Sequence, residues 1–214
     1  MRIRRAARFA ILLFPFAAPP AASAQSSDPT VAFGQAGMND LQADVAAARR
    51  LAQAHKALDK ARELAPEAAS NAKVAKKMKG YAADAEGHAG AAITADPRGV
   101  GGYLTRAEAR LLQDEYSDAR ADCSTAIQLT AEGAEGLRCF GIASIRMGEA
   151  REALVALARL QRRPEAAAQA TEVRTAVEVW VAAQLDDAER RNVSAWLERN
   201  PAPPGLASRP PTHE

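Results

Sequence analysis

Few side chains in this sequence are of a type and spacing that could do chemistry. The histidines are His55, His88 and His213. No His-Glu-x-x-His, Cys-x-x-Cys or tight carboxylate set accompanies them, so neither a zinc hydrolase nor a structural zinc site is indicated. Two unaided histidines 33 residues apart, His55 and His88, make a poor metal site, and solvent-facing histidines are the simpler reading. Gly99-Val100-Gly101-Gly102 lacks the Gly-Lys-Ser/Thr of a phosphate loop and reads as a turn. No serine sits in a Gly-x-Ser-x-Gly elbow. Asn192-Val193-Ser194 fits a glycosylation acceptor, a match short enough to arise by chance. Near Trp180 and Trp196 the acidic residues are Glu178, Asp186, Asp187 and Glu189, whose positions near helix ends suit capping and solvation better than catalysis. The chemistry-bearing inventory therefore argues against an enzyme and implies no cofactor and no metal.

What must position these residues begins with the N-terminus. Arg2, Arg4, Arg5 and Arg8 form a basic head, Phe9 to Ala18 a short apolar run, and Ala22-Ser23-Ala24 a small-x-small cleavage site. That order is a secretory signal peptide over residues 1–24, and the run is too short to span a bilayer. A mitochondrial transit peptide is the rival, being Arg-rich and acid-poor as well. No cysteine follows the site to take a lipid. The expected location is periplasmic or secreted after cleavage near Ala24, with no membrane-crossing segment in the mature chain.

The head holds four of the 28 basic residues, which leaves 24 against 26 acidic, a net of −2. The basic overall balance thus belongs to the signal and does not indicate nucleic acid as a partner. Residues 25–38 have no steady period and are expected to be a flexible lead-in. Residues 200–214 contain five prolines and are expected to form a disordered tail. Between them alanine, leucine, glutamate, arginine and lysine dominate, which predicts an all-α domain.

Shifting the sequence by 34 residues brings Tyr103 onto Leu137, Ala107 onto Gly141, Ala109 onto Ala143 and Leu111 onto Ile145. Asp114 falls on Gly148, and both types tolerate a tight turn. Ala119, Cys123 and Ala126 fall on Ala153, Leu157 and Leu160. One period earlier, Ala85, Ala89, Ala92 and Ile93 take these places after a turn expected at Gly80-Tyr81. A more worn copy lies in Ala57 to Pro66.

This period and pattern resemble the tetratricopeptide repeat, whose unit is an antiparallel helix pair, A then B. Ala107 and Gly141 match its small residue in helix A, Gly80 and Gly148 its turn glycine, and the pairs Ala119/Ala126 and Ala85/Ala92 its small residues in helix B. Pro97 matches its inter-repeat proline. The resemblance covers about residues 39–163, as units at 39–66 (the weakest), 67–99, 100–133 and 134–163. Departures are Arg106 and Arg110, where the family has apolar or aromatic residues, and Thr130-Ala131 in place of Asp-Pro. The resemblance implies a right-handed superhelical α-solenoid, with residues 164–199 as C-terminal capping helices that carry Trp180 and Trp196. Small residues let neighbouring helices approach closely, and each pair buries its apolar face against the next.

The family binds peptides or protein segments on the concave face of its A helices. Transferred by position, that face consists here of Leu104, Glu108, Leu111, Leu112, Arg138, Ile142, Ile145 and Arg146. The mixture suits a protein or peptide segment with apolar anchors. It does not suit the carboxylate-clamping variant, since no asparagine lies on either face. The implied function is an exported, non-enzymatic binding module or scaffold of the cell envelope, the alternative being a structural accessory subunit of an envelope assembly. In the family geometry Cys123 and Cys139 flank one antiparallel turn. A disulfide between them and two buried free thiols both remain open.

Overall fold

The computed structural model describes residues 29–131, 133–184 and 187–201, with side chains described for 41–131, 133–184 and 189–201. The expected signal peptide, His213, Asp186 and all but the first two residues of the expected tail lie outside the described residues, as does the Asp187 side chain. The chain divides into two compact parts, Met1–Gly37 and Met38–Glu214. Of the first, helical backbone from Pro29 onward is described.

The described residues are all-α, with eight α-helices and no strand among them. They are α1 (Pro29–Ala68), α2 (Ala72–Ala95), α3 (Val100–Leu112), α4 (Tyr116–Leu129), α5 (Ala134–Arg146), α6 (Ala150–Gln161), α7 (Ala167–Gln184) and α8 (Asp187–Arg199). A short 3-10 turn, Pro164–Ala166, precedes α7. From α2 to α8 each helix packs on the next, and α5 also touches α3 and α7. Among the described residues no helix is long and apolar enough to cross a membrane.

The 34-residue period is visible in the turns. Asp114 has φ 66° and Gly148 φ 81°, so both turns pass through the left-handed region at equivalent places. Each closes with the same hydrogen bond, Glu115 N–H to Arg110 C=O at 2.9 Å and Glu149 N–H to Ser144 C=O at 2.9 Å. These bonds satisfy carbonyls at a helix C-terminus that the helix itself leaves unpaired.

The period is visible in packing too. A Cβ added to Gly102 would lie 2.7 Å from Ile93 Cγ1, and one added to Gly136 would lie 2.9 Å from Ile127 Cγ1. In both cases the start of one helix rests on an isoleucine of the helix before it. The small positions Ala107, Ala119, Ala126, Ala143 and Ala153 are fully buried. Together with Cys123 and Cys139, three of them (Ala107, Ala119 and Ala143) form a core between α3, α4 and α5 whose contacts depend on close backbones. Towards the C-terminus the core coarsens to Leu137, Ile145, Leu157, Leu160, Val173 and Val177, with Trp180 and Trp196 packed at its edge.

Gly141 shows how tight this packing is. A Cβ there would meet Val173 Cγ1 at 2.8 Å, Val173 Cγ2 at 3.1 Å and Ala156 Cβ at 3.3 Å. The valine is buried and stiff, so it cannot swing away. Overpacking costs about 1–3 kcal/mol, against the ~1 kcal/mol that alanine returns in helix propensity. Gly141→Ala is therefore expected to lower unfolding stability, measured by urea titration, despite being a better helix former.

Three expectations at the N-terminal end are corrected. A flexible lead-in is expected at 25–38, whereas the described backbone from Pro29 onward is helical. The weak unit at 39–66 is not a helix pair, since α1 runs unbroken through it and takes Pro66 into its last turns. Gly80-Tyr81 is not a turn but the interior of α2. The real break lies at 69–71, where Asn71 caps α2 by accepting hydrogen bonds from Lys73 N and Val74 N. Burial overrides the local preference of Gly80, because Met78, Ala82, Ala85, Ala89 and Ala92 make a continuous buried stripe along α2. Leu58 and Ala61 of α1 pack against this stripe and against α3.

Candidate functional site

The helices α3, α5 and α7, with the C-terminal half of α1, supply one row of three adjoining cavities. The first, about 390 Å³, is lined by His55, Leu58, Arg62, Gly101, Leu104, Thr105, Glu108 and Glu135. The second, about 300 Å³, shares Leu58, Arg62 and Glu108 with the first and adds Leu111, Leu112, Asp114, Tyr116, Arg138, Ile142 and Arg146. The third, about 580 Å³, shares Ile142 and Arg146 with the second and adds Ile145, Glu172, Ala176, Val179, Trp180 and Ala183 among others. Every residue that the repeat resemblance assigns to a binding face lines one of these cavities. Ile145 does so from beneath, as a residue only 1% exposed, and serves mainly as core.

A charged seam crosses the row. Arg62 of α1 pairs with Glu108 of α3, and Glu108 pairs in turn with Arg138 of α5. Arg138 also reaches Glu135 at 2.8 Å and Glu172 of α7 at 3.1 Å. Gln169 of α7 donates to Glu135 at 2.7 Å. Burial opposes the charge on Arg138, but its hydrogen bond to Glu135 and the charges of Glu108, Glu135 and Glu172 more than offset that and hold its pKa above the usual arginine value. Burial likewise pushes Glu135 up, and the hydrogen bonds from Gln169 and Arg138 bring it below the usual carboxylate value. Arg138 and Glu108 are thus occupied with each other and with neighbouring helices. Arg146, by contrast, is exposed and makes no ion pair among the described residues.

On the other side of α3 lies a second ionic cluster, and it accounts for the two departures from the repeat pattern. Arg106 grips Asp122 of α4 with two bonds of 2.9 and 2.6 Å. Arg110 reaches Asp122 at 2.8 Å and Glu86 of α2 at 2.8 Å. The Asp122 side chain is only 5% exposed. Two arginines therefore replace apolar contacts by tying α3 to the helices on both sides. The hydrogen bond to Asp122 outweighs burial and raises the Arg106 pKa. Burial pushes Glu86 up, but hydrogen bonds from Arg110 and Gln113 overcome it and leave Glu86 below its usual value.

The remaining candidates resolve as follows. Cys123 and Cys139 are fully buried and disulfide-bonded, with Cα atoms 5.8 Å apart, tying α4 to α5. Among the described residues no group of three or more His, Cys, Asp or Glu is arranged for a metal ion. His55 Nε2 lies 2.9 Å from Thr105 Oγ1, which links α1 to α3. Gly99 precedes α3 as its N-cap, while Gly101 and Gly102 lie in the first turn, close against Leu51 and Ile93. Asn192 is exposed on α8. Glu178 pairs with Arg174 at 3.7 Å and does not converge on a reactive group. Sequence reasoning named residues that line these cavities but missed the seam, whose partners stand 30, 34 and 46 residues apart. The one usable signal was Glu135 and Arg138 recurring after 34 residues as Gln169 and Glu172, polar at both places.

No protein-family model matches the chain, and no curated protein matches it.

Proposed function

We propose that the chain is an exported, non-enzymatic binding module of tetratricopeptide-repeat type, which holds a peptide or protein segment along the α1, α3, α5 and α7 row. In this reading α1–α2, α3–α4 and α5–α6 are stacked helix pairs forming a right-handed solenoid, and α7 and α8 close its C-terminal end. Residues 1–24 direct export to the periplasm or the exterior and are removed. The observation that carries the reading is the run of adjoining cavities, which includes all eight residues that the resemblance assigns. Their mixed apolar and charged lining suits an extended or helical segment rather than a reacting small molecule. The ionic seam gives neighbouring helices a fixed spacing, so the row is set before a partner arrives and less ordering entropy is lost on binding.

Site-specific photo-crosslinking in the native envelope tests this. A benzoyl-phenylalanine in place of Leu104 or Leu112, both in the row, is expected to capture a protein partner. The same group at Val155, which is 52% exposed on α6 away from the row, is expected to capture none. Equal capture from all three positions would remove the row from the account.

A further inference from the structure

We infer that the cavity between α5 and α7 is the anchor pocket of this row, and that it takes a peptide segment with a large apolar side chain close to a carboxylate. The inference rests on the groove reading and names the partner's chemistry within it.

The three cavities differ in what they leave unsatisfied. In the first two the charged lining apart from Arg146 is spent internally, because Arg62, Glu108 and Arg138 form one paired chain and Asp114 pairs with Lys79. A charged partner group arriving there would have to break existing pairs. The third is the largest and the most apolar, walled by Ile142, Ile145, Ala176, Val179 and Trp180. Its volume of about 580 Å³ accepts a leucine, phenylalanine or tryptophan side chain with room to spare. Val179, 65% exposed, adds open aliphatic surface beside the tryptophan. The Trp180 ring is half-buried against the core, and the turn residue Gly148 lies near its Cζ2 edge. A half-buried aromatic wall beside an exposed aliphatic one has the composition of an interface anchor.

The charge at the mouth decides the rest. Arg146 lines both this cavity and the second one and makes no ion pair among the described residues. The nearby carboxylates are already engaged, Glu172 by Arg138 and Asp114 by Lys79 at 2.7 Å, and Arg146 acts on Asp114 only as a more distant charge, without an ion pair. An arginine with a planar donor fork beside apolar surface pairs well with a carboxylate. It repels a basic side chain offered at the same place, so the partner's sign is specified as well as its bulk.

The test is a display library of random 12-residue peptides selected on the purified protein, on its Arg146→Glu variant and on its Val179→Asp variant. Both substituted residues are exposed, and unchanged melting temperatures establish that the variants fold. Selection on the unaltered protein is expected to enrich a large apolar residue within about one helical turn of Asp or Glu. Arg146→Glu is expected to keep the apolar preference and switch the charged one to Lys or Arg. The synthesised consensus peptide is expected to bind Val179→Asp at least ~10-fold more weakly, as an interface anchor requires. An acidic preference that survives Arg146→Glu, or enrichment with no charge preference, overturns the anchor assignment and leaves the groove reading standing. No enrichment of any sequence overturns the groove reading and the anchor with it.

Discussion

Replacing Arg106 and Arg110 together by methionine is expected to cost about 3–5 kcal/mol of unfolding stability, because it strands the buried Asp122 carboxylate without a partner. Adding Asp122→Leu to the pair is expected to restore most of that loss, since an apolar trio removes the charge along with its partners. The two measurements separate a charge effect from a volume effect. The pair also changes the response to acid. Glu86 titrates below its ordinary value of 4.5 in the folded protein, where Arg110 and Gln113 hold its charged form. A depressed carboxylate contributes stability that is present above its unfolded pKa and lost as pH falls through the folded one. The unaltered protein should therefore lose stability as pH drops below about 4.5, with Glu86 and Glu135 contributing. The methionine pair should lose less over the same range, because its Glu86 has already lost the Arg110 bond. Chemical denaturation at pH 7 and at pH 3.5 checks both statements. A double variant as stable as the parent at pH 7 would mean that the cluster is ornamental.

Breaking the Cys123–Cys139 bond is the second large effect expected. The bond closes a loop with a sequence separation of 16. Its removal frees the unfolded chain and should cost about 3 kcal/mol. In a chain of this size that lowers the melting temperature by roughly 6–12 °C. A Cys123→Ala, Cys139→Ala variant tests it, since alanine suits a core already built from Ala107, Ala119 and Ala143. Because both cysteines have no exposed surface, a thiol reductant should act slowly on the folded protein and fast in mild denaturant. Uptake of two alkyl labels by unfolded but unreduced protein would show that no bond is present.

The effects also mark what the sequence made legible and what it did not. The 34-residue period located the turns at Asp114 and Gly148, the close contact at Gly141 and the buried alanines of α3 to α6. Those features depend on small or turn-forming residues at fixed offsets, which a single chain displays directly. The ends of α1 and α2 were not legible by the same route. At 40 and 24 residues these helices are longer than the 12 to 14 residues of α3 to α6, and Gly80 imitates a turn that the buried stripe around it overrides. Asn71, in a capping position three residues after Ala68, was the better sign. The site was half legible. The list of lining residues follows from the repeat register, but the roles within it do not. Glu108 and Arg138 are taken up by the seam and Ile145 by the core, and only folding brings their partners near. Arg106 and Arg110 broke the pattern openly, and the reason lay on the neighbouring helices.

Hydrogen exchange of the protein with and without its selected peptide tests the central claim most directly. The account predicts added amide protection along α3 near Leu104 to Leu112, α5 near Arg138 to Arg146 and α7 near Glu172 to Ala183, with α4 and α6 unchanged. Protection that instead falls on α4 and α6, or nowhere on the molecule, would contradict it.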